Sequence, residues 1–170
     1  MVWRSMIDGK TVLAVIPARS GSKRCPGKNF RPFRGKPLWE WSVLHAEASK
    51  YIDKIRLSRD EDRPPELCTD TATSEDVLRY HLAQDPHDFV VLLQPTSPLR
   101  TAADIDLCIT MASAYHSPVI SVRFDGTKNG AVYVASADWI SKHNFSAKGW
   151  LPYAMNAKRS LDIDYAEQFE

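Results

Sequence analysis

The stretch TVLAVIPARSGSKRCPGKN, from Thr11 to Asn29, joins a run of apolar residues to a loop rich in positive charge. Its first eight residues do not alternate between apolar and polar, which predicts a strand buried on both faces of a sheet. The loop carries four cations in a chain whose formal net charge is only +1: Arg19, Lys23, Arg24 and Lys28. A loop of this kind is a phosphate site, a nucleic-acid patch or an ordinary solvated loop.

The rest of the chain alternates between apolar runs of strand length and segments of helical period. After the first strand, strands are predicted for IDKIRLS, DFVVLLQP, PVISVRF, GAVYVAS and WLPYAM, and helices for KPLWEWSVLHAEASK, SEDVLRYHLAQD, TAADIDLCITMASAYH and SADWISKHN. Pro37 is expected in the first turn of the first helix. Thr73 or Ser74 is the predicted N-cap of the second helix, and Thr101 caps the third. This alternation predicts an α/β fold, a mostly parallel sheet with helices on both faces.

Composition narrows the class of protein. A length of 170 residues suits one domain spanning residues 1–170, and the 44% hydrophobic and 25% charged fractions are those of a globular protein. The nearly neutral charge argues against a general nucleic-acid binder. No apolar run is long enough to span a membrane, and MVWRSMIDGK shows no secretory signal. Three widely spaced cysteines are expected to be reduced thiols of a cytoplasmic protein: Cys25, Cys68 and Cys108.

The basic loop does not match the two common nucleotide motifs. Five residues separate Gly21 from Gly27 where a Walker A loop has four, and Asn29 stands where that loop needs a hydroxyl. No GxGxxG is present either. Nevertheless, Ser20-Gly21-Ser22 would let backbone N–H groups approach a phosphate, Arg19 can donate to two phosphate oxygens, and Lys28 can act as a point charge. Phosphate binding is therefore the favoured interpretation.

The segment IPARSGSKRCPGKN resembles the opening signature of the acylneuraminate cytidylyltransferases, whose usual form is close to IPARGGSKxxxxKN. Ser20 replaces the first glycine of that form. Four further stretches resemble later signatures of the family in the same order: RPPELCTDTATSEDV, VLLQPTSPLRTAADID, NGAVYV and RSLDID. The resemblance implies a three-layer, Rossmann-like nucleotide-diphospho-sugar transferase fold. It also implies transfer of CMP from CTP to a nonulosonic, sialic-acid-like or related 3-deoxy-2-keto acid sugar, with release of pyrophosphate.

The resemblance also implies roles for individual residues at the nucleotide. Arg19 and Lys28 would grip the triphosphate, and Lys28 would stabilise the transition state. Lys23 and Arg24 stand at variable positions and are expected to be solvated. The remaining nucleotide residues implied by the resemblance are Ala18, Ser22 and Asn29 in the loop and Ala72, Thr73 and Ser74 near the cytosine. For Thr73 and Ser74, helix capping alone is the competing interpretation.

Acceptor and metal residues follow from the same resemblance. Gln94, Thr96 and Ser97 would face the acceptor sugar, although a plain loop would be equally polar. Asp162 and Asp164 would bind Mg²⁺, because residues two apart in an extended segment point the same way while their neighbours pack behind. Without the resemblance, this pair reads as a turn or a surface pair.

The chain departs from the family's usual pattern in two places. The segment RDEDRPP makes a short connection after IDKIRLS, and FDGTKNG (residues 124–130) replaces a long insertion that contacts the sugar and builds a dimer arm. Its DG and NG pairs suit tight turns. The expected partners are small molecules, CTP and an acidic sugar, with no nucleic acid or membrane. Which sugar is accepted and whether a homodimer forms stay open, and the alternative function is a non-catalytic CTP-binding domain that acts through a partner protein.

Overall fold

The structure, a computed structural model, describes residues 5–169. The prediction that MVWRSMIDGK is not a secretory signal falls partly on residues 1–4, which lie outside the described residues. Within residues 5–169, no helix is both long enough and apolar enough to cross a membrane.

Within residues 5–169 the fold consists of eight strands and four helices, besides short 3₁₀ turns at Lys28–Phe30, Asp60–Asp62, Pro65–Leu67 and Ala166–Phe169. The strands are β1 (Val12–Pro17), β2 (Pro32–Phe33), β3 (Lys36–Pro37), β4 (Lys54–Ser58), β5 (Phe89–Leu92), β6 (Val119–Val122), β7 (Lys128–Ser136) and β8 (Leu151–Ala154). The helices are α1 (Leu38–Ala48), α2 (Ser74–Gln84), α3 (Ala102–Tyr115) and α4 (Ala137–Lys142). Each strand and helix predicted from the sequence is present, with bounds shifted by a few residues.

Six strands form one sheet in the order β4-β1-β5-β7-β6-β8, and β2 pairs only with β3. Strand β1 pairs in parallel with β4 on one side and β5 on the other. Strand β6 is parallel to β8, whereas β7 runs antiparallel to both of its neighbours. The prediction of a mostly parallel sheet is therefore confirmed, with β7 as the strand that runs against the others.

Helices cover both faces of the sheet, which gives three layers. Val12, Ala14 and Ile16 of β1 belong to the core cluster on the α1 and α3 side. Leu13 and Val15 belong to the cluster on the α2 and α4 side. All five side chains are fully buried, which is why β1 shows no alternation in its sequence.

Side-chain hydrogen bonds cap the amino ends of helices α2 and α3. Thr73 accepts a hydrogen bond from the Asp76 backbone N–H, while the Asp76 carboxylate accepts one from the Thr73 N–H, so this pair forms a capping box at α2. Thr101 and Asp104 form the same box at α3, as expected. Pro37 is not in the first turn of α1: it lies at the N-cap, because its backbone is extended and belongs to β3.

The expectation of two tight turns in residues 124–130 is wrong for the NG pair. Asp125 and Gly126 do form the turn between β6 and β7, where the Gly126 N–H donates to the Arg123 carbonyl at 2.9 Å. Asn129 and Gly130, however, lie inside β7. Gly130 has φ of +75°, and the pairing of β6 with β7 shifts register in this region. The glycine therefore permits an irregularity within the strand.

The imidazole of His45 on α1 is held in an environment that disfavours its charged form. Its Nδ1 atom is buried and makes no hydrogen bond within the described part of the chain. Burial, together with the nearby charge of Arg100, lowers the pKa of His45 to about 4. Folding therefore keeps His45 neutral at pH values where the unfolded chain would protonate it.

We expect His45 to make stability depend on pH between about 6.5 and 4. In this window the unfolded state binds a proton that the folded state does not, so the free energy of unfolding falls as the pH falls. Relative to His45→Gln, the wild type should lose about 2 kcal/mol between pH 7.5 and pH 4.5 in urea unfolding. The exposed-position variant His116→Asn should run parallel to the wild type. Equal pH profiles for wild type and His45→Gln would contradict the assignment.

Candidate active site

A cavity of about 430 Å³ opens at the carboxyl ends of β1, β4 and β5. Four segments contribute to its walls: the basic loop after β1, the segment 63–77 that leads into α2, the loop after β5, and Asp164 near the end of the described chain. Its lining includes ten residues predicted for the site: Arg19, Ser22, Lys28, Asn29, Ala72, Thr73, Ser74, Gln94, Thr96 and Asp164. Open α/β sheets bind their ligands beyond the carboxyl ends of the strands, so the position of this cavity supports a binding site.

Two cations of the basic loop are paired with Asp70. The Arg19 guanidinium donates to the Asp70 carboxylate and to the Thr69 carbonyl, at 2.9 and 3.2 Å. Lys23 lies 2.9 Å from the other Asp70 oxygen. Hydrogen bonds from Lys23 and Arg19 lower the pKa of Asp70, so its carboxylate stays charged. One carboxylate thus offsets two positive charges at the rim of the cavity.

The other two cations converge on Asp164. Lys28 Nζ lies 2.8 Å from Asp164 Oδ1, and Arg24 lies 2.9 Å from Oδ2. Burial by itself would raise the pKa of Asp164, but its bond and charge interaction with Lys28, together with Arg24, outweigh burial and lower it. Lys23 and Arg24 keep most of their side chains in solvent, as expected, yet both line the cavity.

Asp162 does not line this cavity, but it lies close to its partner carboxylate. Burial raises the pKa of Asp162, and the charge of Asp164 adds to this effect, whereas Thr96 and Lys28 oppose it. Ile163 is buried, and Leu161 packs in the same small cluster, as the alternating pattern predicts. A bound cation would relieve the unfavourable charge interaction between the two carboxylates.

Among residues 5–169, no three His, Cys, Asp or Glu side chains form a group that could hold a metal ion by themselves. Mg²⁺ commonly binds to one or two carboxylates and takes its other ligands from phosphates and water. The pair Asp162 and Asp164 beside a cavity lined with cations therefore fits a divalent cation that arrives with a nucleotide.

Asn29 and Ser20 are used partly to hold the loop itself. Asn29 is buried, and its side-chain amide donates to the Arg19 carbonyl at 2.9 Å. The expectation that all of Ser20-Gly21-Ser22 offers N–H groups to phosphate needs a correction. The Ser20 N–H donates to Asp60 at 2.9 Å, so only Gly21 and Ser22 keep theirs for a ligand.

Two predicted site residues lie behind the cavity wall. Ala18 is fully buried, and its N–H donates to the Ser58 carbonyl at 2.8 Å as β1 continues past its last paired residue. Ser97 is also fully buried, and its hydroxyl makes no hydrogen bond within the described chain. Neither side chain lines the cavity, so the geometry does not match the expectation that they face a ligand.

The segment at the start of α2 combines capping with a place on the cavity wall. The Thr73 hydroxyl donates to Asp76 at 2.7 Å and accepts from its N–H at 3.1 Å. Capping thus occupies Thr73, whereas the Ser74 hydroxyl has no such role in the described structure. Ala72 and Ser74 also line the cavity, and the Ala72 N–H donates to the Thr69 hydroxyl at 3.2 Å.

Arg63 is a cavity residue that was not singled out from the sequence. Its side chain is only 2% exposed, and its Nε and Nη2 atoms make no hydrogen bond within residues 5–169. The nearest carboxylate oxygen, Asp60 Oδ1, lies 3.7 Å from Nη2. An arginine cannot lose its charge at physiological pH, so a buried one with free donors is suited to bind a polar ligand. The only sequence signal was its place at the head of the RPP stretch.

The loop after β5 is held from behind by a buried cation. Arg100 donates to the carbonyls of Gln94 and Ser97 at 2.9 and 3.1 Å, and it also bonds to Ser42. Burial lowers the pKa of Arg100 to about 9. These bonds fix the backbone on both sides of Thr96, which keeps Gln94 and Thr96 at the cavity.

A smaller cavity of about 200 Å³ adjoins the first and shares Ser74 and Gln94 with it. The remaining residues of its wall are Glu75, Leu92, Lys128, Tyr133, Phe145 and Ser146. Lys128 Nζ donates to the Phe145 carbonyl at 2.8 Å and lies 5.2 Å from the centre of the Trp150 ring. The two cavities give the site room for two ligands that meet at Gln94.

Comparison with known proteins agrees with this geometry. The family model described as cytidylyltransferase matches residues 13–138, which is more than half of the chain. The chain belongs to the cytidylyltransferase family. The predicted family and the α/β fold are thereby confirmed.

The relatives differ in length. A CMP-N,N'-diacetyllegionaminic acid synthase of Legionella pneumophila is 36% identical, in an alignment that covers 90% of this chain and 90% of that protein. An N-acylneuraminate cytidylyltransferase of Escherichia coli is 26% identical over 94% of this chain, but the match covers 50% of that protein. The chain therefore spans about half the length of the E. coli relative, and the same holds for N-acylneuraminate cytidylyltransferases of Streptococcus agalactiae.

Solved structures share the fold at low sequence identity. A CMP:2-keto-3-deoxy-manno-octonic acid synthetase complexed with CTP superposes with a TM-score of 0.73 at 12% identity, over 93% of this chain and 95% of that one. A cytidylyltransferase from Leptospira borgpetersenii gives 0.68 at 17% identity, over 95% and 84%. These similarities establish the cytidylyltransferase architecture of the sheet.

Gly130 gives the site a test that separates fold from function. A Cβ at this position would lie 2.9 Å from Gln94 Oε1, so Gly130→Ala should push the Gln94 side chain out of the wall shared by the two cavities. We expect cytidylyl transfer to fall about tenfold, with a stability loss of about 1–2 kcal/mol from the left-handed backbone.

The matched control is Gly126→Ala, at φ +86° with no atom within 4 Å of the added Cβ. It should lose similar stability in thermal unfolding but keep its turnover. Equal turnover in the two variants would show that the position of the Gln94 side chain does not affect cytidylyl transfer.

Proposed function

We propose that this protein transfers CMP from CTP to a hydroxyl of a sialic-acid-like nonulosonic or related 3-deoxy-2-keto acid sugar and releases pyrophosphate. The observation that carries the proposal is the 430 Å³ cavity at the carboxyl ends of β1, β4 and β5, where the cations of the basic loop, the buried Arg63 and Asp164 meet in a chain of the cytidylyltransferase family. The names of the relatives point to the same class of acidic sugar.

In the proposed reaction, the acceptor hydroxyl attacks the α-phosphorus of CTP. The bond from that phosphorus to the oxygen bridging to the β-phosphate breaks, and pyrophosphate leaves with its electron pair while the hydroxyl proton passes to solvent. Arg19 and Lys28 hold the phosphates and offset the charge that develops on them. When the nucleotide enters, Arg19 exchanges its bond with Asp70 for phosphate oxygens, and Lys28 does the same with respect to Asp164.

Asp162 and Asp164 would hold a divalent cation such as Mg²⁺, which would neutralise part of the triphosphate charge and favour the departure of pyrophosphate. Ala72 and Ser74 would meet the cytosine edge, and the adjoining Arg63 supplies further donors to the nucleotide. In this proposal, residues of the larger cavity contact both the triphosphate and the cytosine of CTP.

The acceptor sugar would occupy the smaller cavity, next to Gln94 and Thr96. Lys128 is the cation on that wall, at the start of the strand that follows the short 123–127 turn. We infer that its amine binds the acid group of the sugar. Three free thiols suit the cytoplasm as the place of reaction. We also predict that residues 1–170 form a single domain with a shortened connection at 124–130. A homodimer is a further prediction.

The first test is pyrophosphate release from CTP and Mg²⁺ with N-acetylneuraminate, 3-deoxy-manno-octulosonate and a legionaminic acid as acceptors. Release that depends on one acceptor would establish the reaction and the class of sugar. CTP binding without release for any acceptor would favour the alternative, a CTP-binding domain that acts through a partner protein.

Asp164→Asn should lower the turnover number at least about a hundredfold, because the pair loses a charged oxygen ligand for the cation. CTP binding measured without divalent cation should weaken far less, since this change also frees Lys28 and Arg24. The control is Asp138→Asn, which removes an exposed carboxylate on α4 that pairs with Lys142. Unchanged turnover in Asp164→Asn would rule out this metal site.

Lys128→Met should raise the KM for the acceptor roughly tenfold to a hundredfold, the value of one charge-assisted hydrogen bond, and leave the KM for CTP unchanged. Methionine keeps the length and apolar stem of the side chain. Lys142→Met, at an exposed position of α4, should leave both constants unchanged. A rise in the KM for CTP alone would place Lys128 on the nucleotide instead.

A further inference from the structure

Asp60 lies between two walls of the larger cavity without lining it. Its Oδ2 atom accepts two hydrogen bonds from Ser20, one from the backbone N–H at 2.9 Å and one from the hydroxyl at 2.5 Å. Ser20 belongs to the basic loop, to which the proposed function assigns the triphosphate, whereas Asp60 belongs to the 3₁₀ turn after β4. These two bonds therefore join segments that are 40 residues apart in sequence.

The other oxygen of the same carboxylate faces Arg63. Asp60 Oδ1 is buried, makes no hydrogen bond within residues 5–169, and lies 3.7 Å from Arg63 Nη2. A buried guanidinium needs a nearby negative charge, because desolvation of an unpaired cation costs several kcal/mol. In the described structure, Asp60 is the carboxylate that forms an ion pair with Arg63.

The carboxylate is held in its charged form by these neighbours. Burial by itself would raise the pKa of Asp60, but the hydrogen bonds from Ser20 and the charge of Arg63 outweigh burial and lower the pKa. A single charged group thus restrains the loop that meets the phosphates and the arginine that lines the opposite wall.

We propose that Asp60 is a positioning residue for the nucleotide: it sets the phosphate-binding loop and Arg63 at the relative distance at which one CTP molecule contacts both. This inference rests on the proposed function, in which the loop holds the triphosphate and the segment from Arg63 to Ser74 holds the remainder of the nucleotide. A ligand that spans two walls gains from their fixed spacing, whereas a fragment that touches one wall does not.

The test compares Asp60→Asn with the wild type in binding of CTP, of tripolyphosphate and of cytidine. Asparagine keeps an oxygen for the Ser20 N–H but removes the charge beside Arg63. We expect the Kd of CTP to rise about tenfold or more, and the Kd of each fragment to rise less than about threefold. Titration calorimetry serves for CTP and tripolyphosphate, and saturation-transfer NMR for cytidine.

Asp88→Asn is a closely matched control. Asp88 Oδ2 likewise accepts from a backbone N–H and a hydroxyl, those of Thr11, at 2.8 and 3.1 Å. It lies at the amino ends of β1 and β5, the opposite edge of the sheet. This variant should lose stability in thermal unfolding without a change in any of the three Kd values.

Ser20→Ala tests the same link without altering the charge balance of Arg63. It removes only the hydroxyl bond to Asp60, so the Kd of CTP should rise about threefold while the fragment values stay unchanged. This variant keeps the proposal testable if Asp60→Asn does not fold.

Several results would overturn the positioning role. One is an equal rise in the Kd of CTP and of tripolyphosphate, which would mean that Asp60 acts on the phosphates alone. Another is an unchanged Kd for CTP in both variants. The proposed function is judged separately, by pyrophosphate release in the wild type, so a positioning role can fail while the reaction stands. A wild type that does not bind CTP would overturn both.

Discussion

The pairing of β1 with β4 on one side and β5 on the other is the constraint on which the rest of the structure depends. All three strands run in the same direction, so their carboxyl ends meet at one edge of the sheet. The loop after β1, the segment after β4 and the loop after β5 are thereby brought around one cavity. Because β1 is buried on both faces, its alternate side chains contribute to the cores on both sides of the sheet.

Charge balance is the second constraint at this edge. The basic loop would repel itself if its cations stood alone, but Asp70 pairs with Arg19 and Lys23, and Asp164 pairs with Arg24 and Lys28. These pairs are at least partly exposed, so each stabilises the fold only modestly. In the proposed reaction, a triphosphate with its cation would replace both carboxylates as partners of the loop, which would let the site bind a charged substrate and release its products.

The site was partly predictable from local pattern. Arg19 and Lys28 were assigned because cations in a glycine-bearing loop after a buried strand suggest phosphate binding, and both lie on the cavity. Ser97 was assigned from the family resemblance, but it is fully buried, and its carbonyl accepts a hydrogen bond from Arg100. Gly130 was read as part of a turn, whereas it makes room for Gln94 inside a strand. For Gly130, the deciding contact is with Gln94, a residue distant in sequence.

By itself, the sequence determined the order of strands and helices, the buried nature of β1, the capped starts of α2 and α3, and the family to which the chain is similar. These features depend on periodicity and on neighbours within a few residues, which a sequence displays directly. Only the tertiary structure decided that Asp60 connects Ser20 to Arg63, and that the strand ends enclose Ala18. Such contacts arise from segments tens of residues apart that the parallel sheet brings to one edge, and no local pattern encodes that distance.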